Sequence, residues 1–254
     1  MRVLLLLIPL ACCALPARSV SGQGAPIATS RPSFSTGSGT VAPGTVQVEG
    51  GYTYSDGNGA RQHVLGELFL RYGLGPGLEA RLSAGSYVWS DRRGRTRSGF
   101  SDPAVGVKVR LVEPAPSPGL SRPGAALSLG TTLPLGEEPI GDSRAQPSAR
   151  LSLDWSLSER TGLAVNARYA FLNSEENADE FAASALLGRS LWGTGSLYVE
   201  GYGLFRPGLL DEGYAEAGFL YRLSSDAQLD ARLGAGLTDA SADFYVGVGA
   251  AWRR

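Results

Sequence analysis

The stretch that decides the fold is the last one, Ala227 to Trp252, AQLDARLGAGLTDASADFYVGVGAAW. Leu229, Ala231, Leu233, Ala235 and Leu237 are apolar, and Gln228, Asp230, Arg232, Gly234 and Gly236 between them are polar or small. After a break at 238–242 the alternation resumes through Phe244, Val246, Val248, Ala250 and Trp252. A period of two makes a strand with one greasy and one wet face. Each run has about ten residues, enough for a tilted strand to cross the hydrocarbon core of a bilayer. In a soluble sandwich the charged face would meet bulk water. In a membrane barrel it faces the lumen, and the apolar face meets lipid.

The rest of the chain repeats this unit. Val46, Val48, Gly50, Tyr52 and Tyr54 alternate with polar or small residues, and Ser55 to Arg61 reads as a turn by its Asp-Gly and Asn-Gly pairs. A second strand over His63–Gly73 sets Val64, Leu68, Leu70 and Tyr72 against Glu67 and Arg71. Gly75-Pro76-Gly77 is a tight reversal, and a third strand runs from Leu78 to Val88. Trp89 to Asp102, with four arginines, reads as a long polar loop. Further strands follow, separated by the Pro-rich connection 113–123, a loop through Gln146, the turn 158–162 and an acidic loop over Asn173–Glu180. The expected fold is all-β: a single transmembrane antiparallel up-and-down barrel of about twelve strands. An even count puts both termini on one side, expected to be the periplasm, with most of the longer loops opposite.

Composition narrows the function. The chain has 254 residues, 43% hydrophobic, with 35 Gly and a formal net charge of −1. That charge leaves no footprint for nucleic acid. Residues 1–24 read as a cleaved signal peptide, with Arg2 ahead of an apolar run from Val3 to Leu15 too short to span a membrane. Cys12 and Cys13 both fall in it and lack the usual lipoprotein pattern, so the mature chain is expected to carry no cysteine. Residues 25–44, rich in Gly, Ser, Thr and Pro, read as an extended periplasmic lead-in, and the barrel as residues 45–254. The implied location is the cell outer membrane.

Residues 31–54 resemble the opening of an outer-membrane family labelled for the MetA-pathway of phenol degradation. The likeness lies in Arg31-Pro32-Ser33-Phe34 and in Val41-Ala42-Pro43-Gly44-Thr45-Val46-Gln47-Val48-Glu49-Gly50-Gly51-Tyr52-Thr53-Tyr54. Arg71-Tyr72-Gly73-Leu74, Leu133-Pro134-Leu135-Gly136 and the stretch Asp243 to Gly249 echo it. The chain departs from the pattern at Ser30 and Ser33, where acidic residues are expected, and in ending Trp252-Arg253-Arg254 instead of on the aromatic. The resemblance implies a transporter or porin-like barrel without a catalytic site, and it alone implies aromatic solutes.

Two sets of candidate residues follow from the threading. The first is a collar of opposite charges in the lumen, a candidate constriction: Glu67, Arg71, Glu79, Arg81, Lys108, Arg110, Asp154, Arg168, Arg222, Asp230 and Arg232. Rings of charged side chains select solutes in other pores, and mixed signs suit a salt-bridged plug equally well. The second is an aromatic girdle at each membrane interface: Tyr72, Trp155, Tyr221 and Trp252 at one, Tyr54, Phe171 and Phe244 at the other. Enzyme chemistry is not expected. His63 is the single histidine, read as a solvated rim residue, and no nucleophile can be assembled with it. No cofactor or metal site is implied: the acidic residues Glu175, Glu176, Asp179 and Glu180 read as a solvated loop. The expected partners are outer-membrane lipid and lipopolysaccharide, the barrel-assembly machinery and a small solute. The readings carried forward are a channel for passive passage, a closed structural barrel and, third, a lipid-active enzyme.

Overall fold

The structure is a computed structural model describing residues 27–142, 144–172 and 179–254. The signal peptide, most of the acidic loop with Glu175 and Glu176, and both cysteines lie outside the described residues. The strands in chain order are β1 Val46–Gly57, β2 Ala60–Gly75, β3 Leu78–Ser83, β4 Tyr87–Arg92, β5 Arg95–Phe100, β6 Ala104–Val112 and β7 Gly124–Thr132. Then come β8 Pro147–Ser156, β9 Thr161–Ala170, β10 Glu180–Ser190, β11 Gly195–Phe205, β12 Glu212–Arg222, β13 Ala227–Gly236 and β14 Phe244–Arg253.

All pair antiparallel. β1 pairs with both β14 and β2, which closes the sheet into a barrel. β3 and β4 both pair with β2 and so act as one interrupted wall strand; β5 and β6 pair with β4 and β3 and form the next. The described wall therefore has twelve strands, as the periodicity predicts. Val46 and Arg254 exchange backbone hydrogen bonds of 2.8 Å, so β1 begins beside the end of β14. We call this the terminal end and the opposite mouth the far end.

The pattern of burial is inverted relative to a soluble domain. The largest fully buried side chains include Lys108, Gln47, Glu49 and Glu79, whereas Leu70, Val107, Leu151, Val199, Leu233 and Val248 are exposed. An apolar surface that encircles the wall around a charged interior belongs in lipid.

Two expectations are corrected. Trp89 to Asp102 is not a loop: β4 and β5 form a hairpin turning at Arg93-Gly94, with φ of 53° and 78°. Its strand character escaped the pattern because most of β5 is exposed on both faces, so the sequence carries no apolar alternation there. Second, the third strand is not continuous to Val88, and Val64 does not share a face with Leu68. Gly66 and Glu67 take φ of 97° and 40° at a bulge opposite β1. Beyond it the alternation changes phase, so that Glu67, Phe69 and Arg71 face the lumen below while Val64 and Gln62 face it above. Neighbouring wall strands are interrupted at 84–86, where Gly85 has φ 79°, and at 101–103, which includes Pro103. Bulges and breaks let a sheet bend and re-aim its side chains.

The strand edge left beyond these breaks is covered by the loop after β7. Glu137 N donates to Phe100 O at 2.8 Å, and Asp102 accepts from Gly136 N and Asp142 N at 2.7 Å each. At the terminal end, Arg253 Nε donates to Asp226 at 2.7 Å, which holds that turn carboxyl below its ordinary range. The final Arg-Arg departure thus includes one residue that clasps the last strand to the β12–β13 turn.

Spin labels test the assignment of faces. Labels at Leu70, Leu151 and Leu233 should collide with oxygen more than with a polar nickel chelate, and a label at Ser90 should show the reverse. Water-exposed labels at the three leucines would invert the wall.

Candidate functional site: a charged lumen with a peptide inside it

The lead-in differs from the extended segment outside the wall that its composition predicts. Residues 27–44 run inside the barrel, touching side chains of strands around its circumference. Ile27 N donates to Ser225 O at the terminal end (2.9 Å). The segment then climbs to Phe34, and it returns to the terminal end at Gly44, whose N donates to Gly73 O (2.8 Å). Such a path carries few internal hydrogen bonds, so its amides need partners from the wall.

Those partners are carboxylates and one amide. Ser30 N and Arg31 N donate to Glu49 Oε2 at 2.9 and 3.0 Å. Phe34 N and Ser35 N donate to the two oxygens of Glu200 at 2.8 and 2.7 Å. Thr36 N donates to Asn166 Oδ1 at 2.9 Å, Ser38 N to Asp154, and Val41 N to Glu79 Oε2 at 2.9 Å. In return Lys108 Nζ donates to Gly37 O, and Arg71 Nη1 to Ala28 O at 2.8 Å. Charge-assisted bonds of this kind are the stronger class.

Glycines on the lumen face make the room. Gly51 and Gly249 are opposite one another on β1 and β14. A Cβ on either would come within 2.3 or 2.4 Å of the Arg31 guanidinium. A Cβ on Gly73 would lie 2.0 Å from Ala42 O. The wall was cut to fit this peptide.

The predicted collar is largely brought together on the lumen side, with the peptide in its middle. Arg71 grips Glu79 through Nε and Nη2 at 2.9 and 2.8 Å and reaches Glu49 at 3.3 Å. Arg81 lies 3.2 Å from the same Glu79. Arg31 pairs with Glu67 and, at 3.5 Å, with Asp230. Arg232 lies 3.5 Å from Glu67 and 3.7 Å from Glu216. Lys108 and Asp154 bind the peptide backbone, and Arg168 pairs with Glu180. Two members lie at its terminal edge, and Arg110 reaches Thr40 of the peptide at 3.3 Å. Arg110 also pairs with Glu113 in the following connection, and Arg222 donates to Gly193 O in a terminal-end turn.

Sequence reasoning missed four charged lumen groups. Glu49, Arg150, Glu200 and Glu216 were not assigned to the collar, although each has the period-two placement that would have marked it. Glu216 accepts from Tyr198 and Tyr245, both buried. Phe34 stacks on Tyr202 at 4.6 Å, and Tyr202 on Tyr214 at 4.9 Å. Nothing in the sequence tells a peptide tip to lie on that tyrosine pair.

Tyr54, Tyr72, Trp155, Phe171, Tyr221, Phe244 and Trp252 all sit on the outer wall, the first near the far end with Phe171 and Phe244, the others near the terminal end. His63 is not a free rim residue. Its Nδ1 is 2.7 Å from Tyr52 Oη, and its ring packs against Tyr54 and Trp89 at 5.0 Å each. Glu180 does not belong to a solvated loop: it opens β10 and is buried. Asp179 accepts from Tyr169 Oη at 2.9 Å, while Glu180 faces Arg168 and Arg206.

Among the described residues, three voids border the peptide. One of about 360 Å³ opens at the terminal end beside Ile27, Thr29 and Arg222. One of about 460 Å³ lies toward the far end, beside Gln62, Ser90, Tyr214 and Tyr245. The third, of about 510 Å³, lies between the peptide and the wall from β3 to β9. Arg31 borders the first and third, and Phe34 borders the second and third.

A closed antiparallel twelve-stranded barrel with lipid outside and charge inside defines the class: this is an outer-membrane β-barrel of the channel and porin fold. The chain belongs to the family described as "Putative MetA-pathway of phenol degradation", whose profile matches residues 29–254. That match includes the peptide in the lumen as well as the wall. An outer-membrane channel from Pseudomonas putida F1 superposes with a TM-score of 0.66 at 14% identity, over 85% of this chain and 97% of that one. A KdgM porin solved in complex with disordered oligogalacturonate gives 0.57 at 9% identity, over 81% and 98%. The NanC porin gives 0.53 at 10%, over 82% and 98%. At these identities the likeness is one of fold. No curated relative matches the sequence.

Replacing Arg71 by Met leaves Glu49 and Glu79 buried with too little positive charge. The cost should be about 3–5 kcal/mol, read from equilibrium urea unfolding in detergent micelles. The double variant Arg71→Met/Glu79→Leu should recover part of it. A near-neutral single variant would show that the collar contributes little to stability.

Proposed function

We propose that the protein is an outer-membrane channel for passive passage of small solutes, with the lumen peptide as its constriction. The observation that carries this reading is the row of voids. Polar space lies on both sides of a tip formed by Arg31 and Phe34, so a local shift of a few side chains would join them. A barrel held shut for structural reasons alone would have no need of a vestibule beside its plug. Family membership adds aromatic solutes to the reading through the phenol-degradation description, and the porin and channel neighbours share its architecture.

In this reading the terminal end faces the periplasm, reached after export with cleavage of a signal peptide within residues 1–24. The short turns Pro76-Gly77 and 223–226 then lie inside, and the loops 133–146 and 206–211 lie outside. The aromatic residues near each rim sit at the headgroup level, the outer set against lipopolysaccharide. The barrel-assembly machinery recognises the last strand despite its Arg-Arg end. The protein is a conduit and not an enzyme, since His63 is spent in an outer aromatic cluster away from the lumen.

Planar-bilayer recordings test this. The wild-type barrel should give small conductance steps. Phe34→Ala should raise them several-fold, and deletion of residues 29–40 should raise them further. Gly249→Val, which displaces Arg31 without removing the peptide, should fall between. Silence from all four proteins would leave a closed structural barrel.

A further inference from the structure

The third void differs from the rest of the lumen in sign. Its lining includes Arg31, Arg81, Arg150, Arg168 and Arg232 and no carboxylate. Four of these have acidic partners behind the chamber wall: Glu67 and Asp230 for Arg31, Glu79 for Arg81, Glu180 for Arg168, Glu67 and Glu216 for Arg232. Arg150 makes no direct ion pair among the described residues: Glu200, whose charge reaches it, is bound to the amides of Phe34 and Ser35. It donates to Phe34 O, lies 3.5 Å from Asn166 Oδ1 and covers the Phe34 ring at 4.9 Å.

The wall makes this costlier. Arg150 and Arg168 are directly opposite one another on β8 and β9. Like charges so placed repel, and a buried unpaired cation is expensive. Arg81 adds a third cation from the other side. Its Nη1 lies 3.4 Å from Ser128 Oγ, and Ser128 is the residue opposite Arg150 on β7. Arg81, Arg150 and Arg168 therefore border the chamber together, with Arg81 held by the hydroxyls of Ser128 and Ser30. Phe34 and Phe69 supply apolar lining, each with an arginine over its ring. A void of about 510 Å³ is of the size that holds a small ligand.

We propose that this chamber binds a small organic carboxylate, with Arg150 as its anchor and Arg81 and Arg168 beside it. The anion supplies the direct ion pair that the protein does not give Arg150, and its apolar remainder rests against the phenylalanines. A planar guanidinium suits a carboxylate because two parallel N–H groups meet two oxygens. The inference rests on the channel reading for how such a solute arrives, and it narrows that reading from small solutes in general to organic anions.

Calorimetric titration of the full-length purified barrel in detergent, with benzoate and its neutral isostere benzamide as probes, tests the site apart from transport. Benzoate should bind at least about tenfold more tightly than benzamide, a difference of about 1.4 kcal/mol. Arg150→Gln should abolish that preference and Arg150→Lys retain part of it, with retention of the heat-modifiable gel shift showing that each variant has folded. Equal binding of the two probes by the wild-type barrel overturns the proposal even if neither variant folds, and so does an unchanged preference in folded Arg150→Gln. Benzoate binding in a barrel that gives no conductance would refute the channel and leave the site standing. Conductance without any preference for benzoate would do the opposite.

Discussion

A peptide without regular structure cannot lie inside a barrel unless its amides are satisfied there, because few waters reach them. Here the wall answers with carboxylates. Glu49, Glu79, Asp154 and Glu200 each accept from at least one backbone N–H of the segment 30–41. The same carboxylates need donors once they are buried, so peptide and wall solve each other's problem. Arg71 completes the arrangement by holding Glu49 and Glu79 at a common level. Remove the peptide, and several buried acids lose their hydrogen bonds at once.

This explains the mixture of signs in the lumen. Carboxylates concentrate where the peptide backbone presents N–H groups, on β1, β3, β8 and β11. Around the void between the peptide and the wall from β3 to β9, the wall presents arginine and serine instead. The interior is therefore nearly neutral as a whole and polarised across its width. A solute crossing it would meet a cationic side and a side already occupied by backbone.

The bulge at Gly66-Glu67 and the interruptions near Gly85 and Pro103 belong to the same design. They turn Glu67 and Phe69 into the lumen beside the peptide, and let β4 and β5 project as a polar hairpin above the apolar belt. Phase is a property of pairing, so a one-residue shift moves every later side chain to the other face. That is why the sequence pattern puts Val64 on the wrong face and Leu68 to Tyr72 on the right ones.

The alternation of Leu229 to Leu237 and of Phe244 to Trp252 determined a lipid-facing barrel by itself, because a strand's faces are fixed by odd and even positions. It also placed Arg71, Glu79, Arg81, Asp230 and Arg232 on the lumen side, since their neighbours are leucines, alanines and, for Arg71, Tyr72. The fate of residues 27–44 was decided only in three dimensions. Gly, Ser and Thr are equally at home in a solvated linker and in a tightly packed insert. What separates the two is the presence, at distant points of the chain, of acceptors such as Glu200 and clearances such as Gly249. Those meet the peptide only when the barrel closes, and no local pattern encodes that meeting.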